Sequence, residues 1–376
     1  MADSQPLRVL VIGANERNPN AVNGILWNAE TRLASFGDIV FTNIGFGPND
    51  DVFHSKGIAT YSLTDATRRK VVGRIKRKAL DTLRRDTGLL GWQLLYRKGI
   101  ELSHEESFDV IVGAAGDFAN MKAAFELSQT LGIPFFPMYF DGYTNNPTTA
   151  FASRRALEEK RWLQGASAVA YDADGIKPID VEGTPGPEPF FIPIFSTLSK
   201  QIPTSKIVYG GLFYPDFRPA SSIERLMDAF RGSDYEFEVF SNQPSFQTAN
   251  PNCHARGLVA YEEYQKACSE ACAFIVLGNA TKEGTIPSKL LETMGYGKPI
   301  IGMNFAALPE HAKRYPLFLN GDENMADLPQ KLASLLDKRE SVDIFSLFPE
   351  RNPDRLCEQL RRILFSVAQK KDGAGR

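Results

Sequence analysis

The chain has 376 residues, of which 43% are hydrophobic and 23% charged, and its formal net charge is −2. That length exceeds one ordinary core and suits two domains. The near-neutral balance excludes a general polycation, and the lack of any run of about eighteen apolar residues excludes a membrane-spanning helix.

Met1 to Pro6 lead directly into an apolar run without a signal-peptide core, so a cytosolic location is the expectation. Arg8 to Gly13 predicts a strand that closes on glycine. A polar loop over 14–23 follows, and Gly24-Ile25-Leu26-Trp27 opens a helix. Gly13 and Gly24 lack the third glycine and the spacing of a dinucleotide fingerprint. The loop, with Asn23-Gly24 at its tip, reads as one wall of a ligand cleft; an ordinary strand-to-helix turn fits as well. A second strand over 38–44 passes into turns rich in glycine and aspartate.

Residues 68–98 carry Arg68, Arg69, Lys70, Arg74, Lys76, Arg77, Lys78, Arg84, Arg85, Arg97 and Lys98 against only Asp81 and Asp86. Val71, Val72, Ile75, Ala79, Leu80 and Leu83 recur at helical spacing, which predicts a basic amphipathic helix. An anionic membrane surface suits it, each base near the leaflet adding about 1 kcal/mol. RNA and a plain solvated face compete, and no aromatic interleaving supports RNA.

Strand signals recur at 108–113 and 133–143, the second reaching a carboxylate at Asp141, with a helix over 119–131 between them. A helix over 153–164 holding Glu158 and Glu159 leads into a strand at 166–171. Asp172-Ala173-Asp174 then imitates a metal-binding Asp-x-Asp, although the second half of the chain argues for a fold that does not need it. Residues 183–189 read as a surface loop, and a polar stretch places the domain boundary near residue 200.

The second half opens on Lys206 to Gly211, a strand ending in two glycines, with Arg218 in its loop and a helix from Ser222. Gly211 lets the backbone approach a ligand, and Arg218 offers a fork for phosphate; a surface arginine is the plain alternative. Strands are predicted at 236–240 and weakly at 257–259, a helix at 261–271 and a strand at 273–278. The four cysteines, Cys253, Cys268, Cys272 and Cys357, form no zinc spacing and read as thiols.

The loop from Gly278 to Ser288, with Thr285 and Ile286, precedes a helix that starts at Pro287 and stops at Gly295 and Gly297. Lys289 and Glu292 share one face of it. A cation for diphosphate and a carboxylate for ribose hydroxyls suit a nucleotide sugar, while a solvated ion pair explains the spacing equally. Pro299 leads into a strand to Gly302. A helix at 308–313, a strand at 317–319, a helix at 325–336 and a final helix over 353–369 complete the chain. Strands alternating with helices in both halves predict an α/β protein of two Rossmann-like parallel-sheet domains.

Pro287-Ser288-Lys289-Leu290-Leu291-Glu292 with Gly297-Lys298-Pro299-Ile300-Ile301 resembles the donor-site signature of retaining glycosyltransferases of the family-four kind. The resemblance implies the two-domain GT-B fold: an acceptor-side domain over 1–200, a nucleotide-sugar domain over 201–352, a facing cleft, and a C-terminal segment, 353–376, returning to the first domain. It implies that Glu292 holds the donor ribose and that Lys289 and the loop with Thr285 and Ile286 face the diphosphate. Arg218 would grip the same diphosphate, and Gly211 would end the strand beside it. Gly13, Asn23 and Gly24 would approach the donor phosphates, and Asp141 would face the sugar as the catalytic candidate. Many relatives carry a second glutamate upstream of the ribose glutamate; Glu283 stands one position outside that spacing. Tyr139-Phe140-Asp141-Gly142-Tyr143 is similar to a second family segment but departs from it at Phe140, Gly142 and Tyr143.

The activity implied is hexosyl transfer with retention from a nucleotide-diphosphate sugar to a glycan or lipid-linked acceptor, with no metal and no cofactor beyond the donor. A nucleotide-sugar epimerase of the same fold and a non-enzymatic nucleotide-sugar binder are the alternatives. A dinucleotide-dependent oxidoreductase lacks its glycine spacing.

Overall fold

The computed structural model describes residues 5–15, 21–47, 49–64, 89–115, 118–140, 142–144, 152–175, 177–197, 204–215, 218–259, 261–278, 286–338 and 342–373. The basic run over 68–88, Asp141, Glu283 and Thr285 lie outside them. The chain divides into two compact units, Met1–Phe191 with Asp354–Arg376, and Ile192–Pro353.

The first unit is built on β1 (Leu7–Ile12), β2 (Ile39–Phe46), β3 (Asp51–Ser55), β4 (Ile58–Leu63), β5 (Val110–Ala115), β6 (Phe135–Tyr139), β7 (Val169–Asp172) and β8 (Pro187–Phe190). Their order in the sheet is β3-β4-β2-β1-β5-β6-β7-β8, and β3 alone runs antiparallel to its neighbour. The second unit has β9 (Lys206–Gly210), β10 (Glu236–Phe240), β11 (Cys253–Ala255), β12 (Ala273–Leu277), β13 (Ile300–Met303) and β14 (Phe318–Asn320). They pair in the order β11-β10-β9-β12-β13-β14, all parallel. The central strands are buried along their whole length, as in β12 and β13, because helices cover both faces. That is why they read as unbroken apolar runs.

Four differences from the sequence reading have physical causes. The turns expected after 44 contain the hairpin β3–β4, joined at Lys56 and Gly57, both left-handed at φ 49° and 81°. A two-residue hairpin turn needs positive φ at both positions, and Lys-Gly carries no Asn or Asp to advertise it. The loop expected at 183–189 contains β8, whose prolines are tolerated because it lies at the sheet edge. The weak strand expected at 257–259 lies instead at Cys253–Ala255, and Gly257 turns left-handed. The first helix begins at Ala21, so Asn23 and Gly24 stand in its first turn rather than at a loop tip.

The units divide before the polar stretch near residue 200. Ile194 is fully buried in the core of the second unit. Arg351 Nη1 donates to the Ile192 carbonyl at 2.8 Å, and Ile194 N donates to the Arg351 carbonyl at 3.0 Å. Entry and exit of that unit are thereby clasped together. The final helix, Pro353–Gly373, buries Leu356, Leu360, Ile363, Leu364 and Val367, spaced by three and four along one face. It packs within the first unit, where Gln359 Nε2 donates to the Pro189 carbonyl at 2.9 Å, Arg362 pairs with Glu188 at 2.9 Å and Arg361 pairs with Asp38.

Beneath that helix lies a buried acid. Glu30 borders an apolar hollow walled by Val11, Phe41, Val112, Leu360 and Leu364. Asn43 Nδ2 donates to Glu30 Oε2 at 2.6 Å. Glu30 Oε1 and Asn43 Oδ1 have no partner among the described residues. Burial pushes Glu30 up from 4.5 to about 8, against a smaller downward pull from Asn43. Between those values the folded chain holds a proton that the unfolded chain has lost, so this contribution to stability is full below pH 4.5 and falls as pH rises to 8. Glu30→Gln keeps an acceptor for Asn43 Nδ2 and removes that dependence. In urea melts its advantage over the wild type should grow from pH 5 to pH 8 by roughly 1 kcal/mol per unit of pH at most.

Candidate functional site

A parallel sheet offers a ligand crevice where strand order reverses, because the loops beyond adjacent strands there diverge to opposite faces. The second unit reverses between β9 and β12. At their carboxyl ends lies a small open hollow, lined by Tyr209, Gly210, Gly211, Arg218, Leu277, Ser288 and Lys289 among others. Three residues selected from the sequence, Gly211, Arg218 and Lys289, meet there.

Gly210, which ends β9, and Gly211, which follows it, both make room for aromatic rings. A Cβ on Gly210 would lie 2.3 Å from the ring of Tyr264, and one on Gly211 would lie 2.9 Å from the hydroxyl of Tyr209. Tyr209 stacks on Phe213 with centroids 5.1 Å apart. Phe213 is held in turn by Asn242, whose Oδ1 accepts from its N–H at 2.9 Å. Burial drives the Tyr209 hydroxyl well above its usual range, with Arg218 pulling the other way, so it stays a neutral phenol. The loop carrying Arg218 is closed by reciprocal backbone bonds with Tyr214 at 2.9 and 3.0 Å. Arg218 Nε is buried and has no hydrogen-bond partner among the described residues.

Opposite stands the helix Ser288–Met294, with Pro287 as its N-cap rather than inside its first turn. It has only seven residues, so positive charge in the hollow comes chiefly from Arg218 and Lys289 and little from aligned peptide dipoles. Lys289 Nζ donates to Glu292 Oε2 at 2.6 Å and lies 4.5 Å from the centre of the Tyr264 ring. Glu292 Oε1 is buried and has no partner among the described residues. An unpartnered donor on one wall and an unpartnered acceptor beside the other suit a ligand that offers both kinds of group. Ile286 is half-buried and packs against the core of the second unit; Thr285 lies outside the described residues.

The candidates in the first unit are placed differently. Gly13 follows β1 at φ 117°, and a Cβ there would lie 2.5 Å from the Asn120 amide. Gly24 faces open space, its carbonyl accepting from Asn28 Nδ2 at 2.9 Å. Asp141 is outside the described residues. The turn after it is anchored by Glu159, which accepts from the N–H groups of Tyr143 at 2.9 Å and Thr144 at 3.1 Å. Tyr143 stacks on Trp162 and lies under Arg155. Asp172 accepts from the backbone N–H of Asp174 at 3.1 Å, and no cluster of three or more His, Cys, Asp or Glu suited to a metal occurs among the described residues. Burial pushes the Cys268 and Cys272 thiols up to about 12, which leaves them unreactive.

The sequence reading did not identify Tyr209, Asn242 or Tyr264. The signal available was Tyr209-Gly210-Gly211, a large ring followed by two positions with no side chain. A test separates the packing roles from the polar ones. Gly210→Ala should destabilise the chain by about 1–3 kcal/mol through the clash with Tyr264. Glu292→Gln should leave the melting temperature nearly unchanged, because a partly exposed ion pair is worth about 1 kcal/mol or less. Thermal melts of both variants check this.

No family model matches the sequence, and the search of curated proteins likewise gave no match. Solved structures do resemble the fold. A glycosyltransferase from Rickettsia africae ESF-5 gives a TM-score of 0.59 at 10% identity, over 96% of this chain and 98% of its own. The α,α-trehalose 6-phosphate synthase from Burkholderia multivorans gives 0.58 at 10% identity, over 99% of each chain. A Listeria monocytogenes protein described as a UDP-N-acetylglucosamine 2-epimerase gives 0.52 at 10% identity, over 89% of each. At such identity the likeness is one of fold alone, and that fold, two parallel-sheet domains in sequence, is GT-B.

Proposed function

We propose that the chain is a glycosyltransferase that moves a hexosyl group from a nucleotide-diphosphate sugar to a glycan or lipid-linked acceptor in polysaccharide biosynthesis, with retention and without a metal. The observation that carries this reading is that Arg218 and Lys289 line the hollow at the strand reversal, while Arg218 Nε and, on the helix of Lys289, Glu292 Oε1 are buried without a partner among the described residues. A pyrophosphate offers acceptors to Arg218 and Lys289; a ribose offers hydroxyl donors to Glu292.

The chemistry demands that charge on the departing diphosphate be stabilised as the sugar turns cationic. Arg218 and Lys289 supply a fixed positive field for it. Glu292 grips a part of the donor that does not react, so it contributes to binding ground state and transition state alike. Asp141 is the candidate beside the sugar in this reading, and Glu159 and Arg155 hold the turn at Tyr143 and Thr144. Gly13 and the first turn with Asn23 and Gly24 belong to the acceptor-side domain in this reading. The basic residues over 68–98 would hold the enzyme at the cytoplasmic face of an anionic membrane, where a lipid-linked acceptor is found.

The epimerase-like neighbour favours a second reading, interconversion of the nucleotide sugar itself. Incubation of donor without acceptor separates the two: epimerisation proceeds under those conditions, and transfer does not. Calorimetry with uridine, guanosine, adenosine and thymidine diphosphates tests the site. The wild type should bind one of them, and Arg218→Ala and Glu292→Ala should each weaken that binding by roughly tenfold or more, as expected for loss of a charged hydrogen bond. If neither substitution changes affinity, the site is misassigned.

A further inference from the structure

Among the described residues Lys289 has two partners, and a ligand's pyrophosphate would draw it from one of them. Its ammonium is held by Glu292 Oε2 at 2.6 Å and by the face of Tyr264, 4.5 Å from the ring centre. When the ammonium turns to a pyrophosphate, that ion pair opens, while Glu292 Oε1, which has no partner among the described residues, takes the ribose. A lysine stem has many rotamers, and a freed ammonium would drift toward water rather than phosphate. The ring is the contact that remains.

Tyr264 is built to stay in place. It is 7% exposed, on the helix Tyr261–Glu270. Gly210 leaves the space into which its ring fits. Phe240 meets it edge-on, with centroids 5.6 Å apart. Its hydroxyl bonds to the thiol of Cys268. Burial, then the nearby charge of Glu292, holds that hydroxyl far above its ordinary range, so the ring is a neutral phenol at any working pH. Tyr264 is absent from the lining of the hollow, so its role runs through another side chain.

We propose that Tyr264 is a positioning residue whose ring keeps the Lys289 ammonium at the wall of the hollow, so that opening the Lys289–Glu292 pair delivers the cation to the ligand's pyrophosphate. The ligand class this selects carries a diphosphate and a neighbouring diol together. Such a ligand engages both halves of the pair at once, whereas pyrophosphate alone leaves Glu292 without its cation. The inference rests on the nucleotide reading above and adds to it a residue outside the ligand's reach.

A binding cycle tests it. The probe is whichever of uridine, guanosine, adenosine and thymidine diphosphate the wild type binds most tightly by calorimetry. Tyr264→Phe keeps the ring face and should stay within about threefold of wild type, whereas Tyr264→Leu should weaken binding about tenfold, the size of a partly desolvated cation–π contact. In a Lys289→Met background, the same Tyr264→Leu change should weaken binding by less than about twofold, because its target is gone. Tyr264→Met, which fills the space with a flexible apolar chain, replaces Tyr264→Leu if that variant does not fold. Equal loss in both backgrounds, or no loss in the wild-type background, overturns the role of Tyr264 and leaves the nucleotide reading intact. Failure of the wild type to bind any of the four overturns both.

Discussion

Parallel strands buried on both faces can present polar backbone and loop groups to a ligand only at their ends. In the second unit that constraint leaves one favoured place, where β9 and β12 lie side by side and their following segments part. The other features follow from it. Gly210 and Gly211 must be small because two tyrosines occupy the space a side chain would take. The Arg218 loop is pinned by its own backbone bridge to Tyr214. The short helix after β12 brings Lys289 to the same hollow from the other wall.

The two units treat their buried carboxyls in opposite ways. Glu292 is paired with a cation, and its other oxygen has no partner among the described residues. Among the described residues Glu30 has an amide partner and apolar walls, and burial raises its pKa toward 8, so it serves as a neutral acid in the seat of the final helix. The difference is one of dielectric and partner rather than of residue type. It explains why an acid under the final helix carries a pH dependence of stability.

The clasp between Ile192 and Arg351 gives the second unit a closed outline in sequence as well as in space. Arg351 is almost fully buried, and its Nε donates to His311 Nε2 at 2.9 Å, so that ring nitrogen must be unprotonated. Both linkers of the second unit therefore leave from one rigid point. Beyond it the final helix, with leucines and an isoleucine on one face, has its packing partners in the first unit.

Much of this was legible in the sequence. The runs that became β1, β5, β9, β10, β12 and β13 could be read because strands buried on both sides are apolar throughout, and the placement of Lys289 and Glu292 on one helix face needed only their spacing. The hairpin at Lys56-Gly57 and the proline-bearing edge strand β8 could not be read, since neighbouring strands, not local propensity, stabilise them. The sequence by itself determined the two-domain alternation and the charges of the candidate site. Only tertiary structure decided that Arg218, distant in the chain, shares a hollow with Lys289, that Gly210 exists to admit Tyr264, and that Glu30 is neutral, because proximity and burial arise from packing between elements that the chain order does not encode locally.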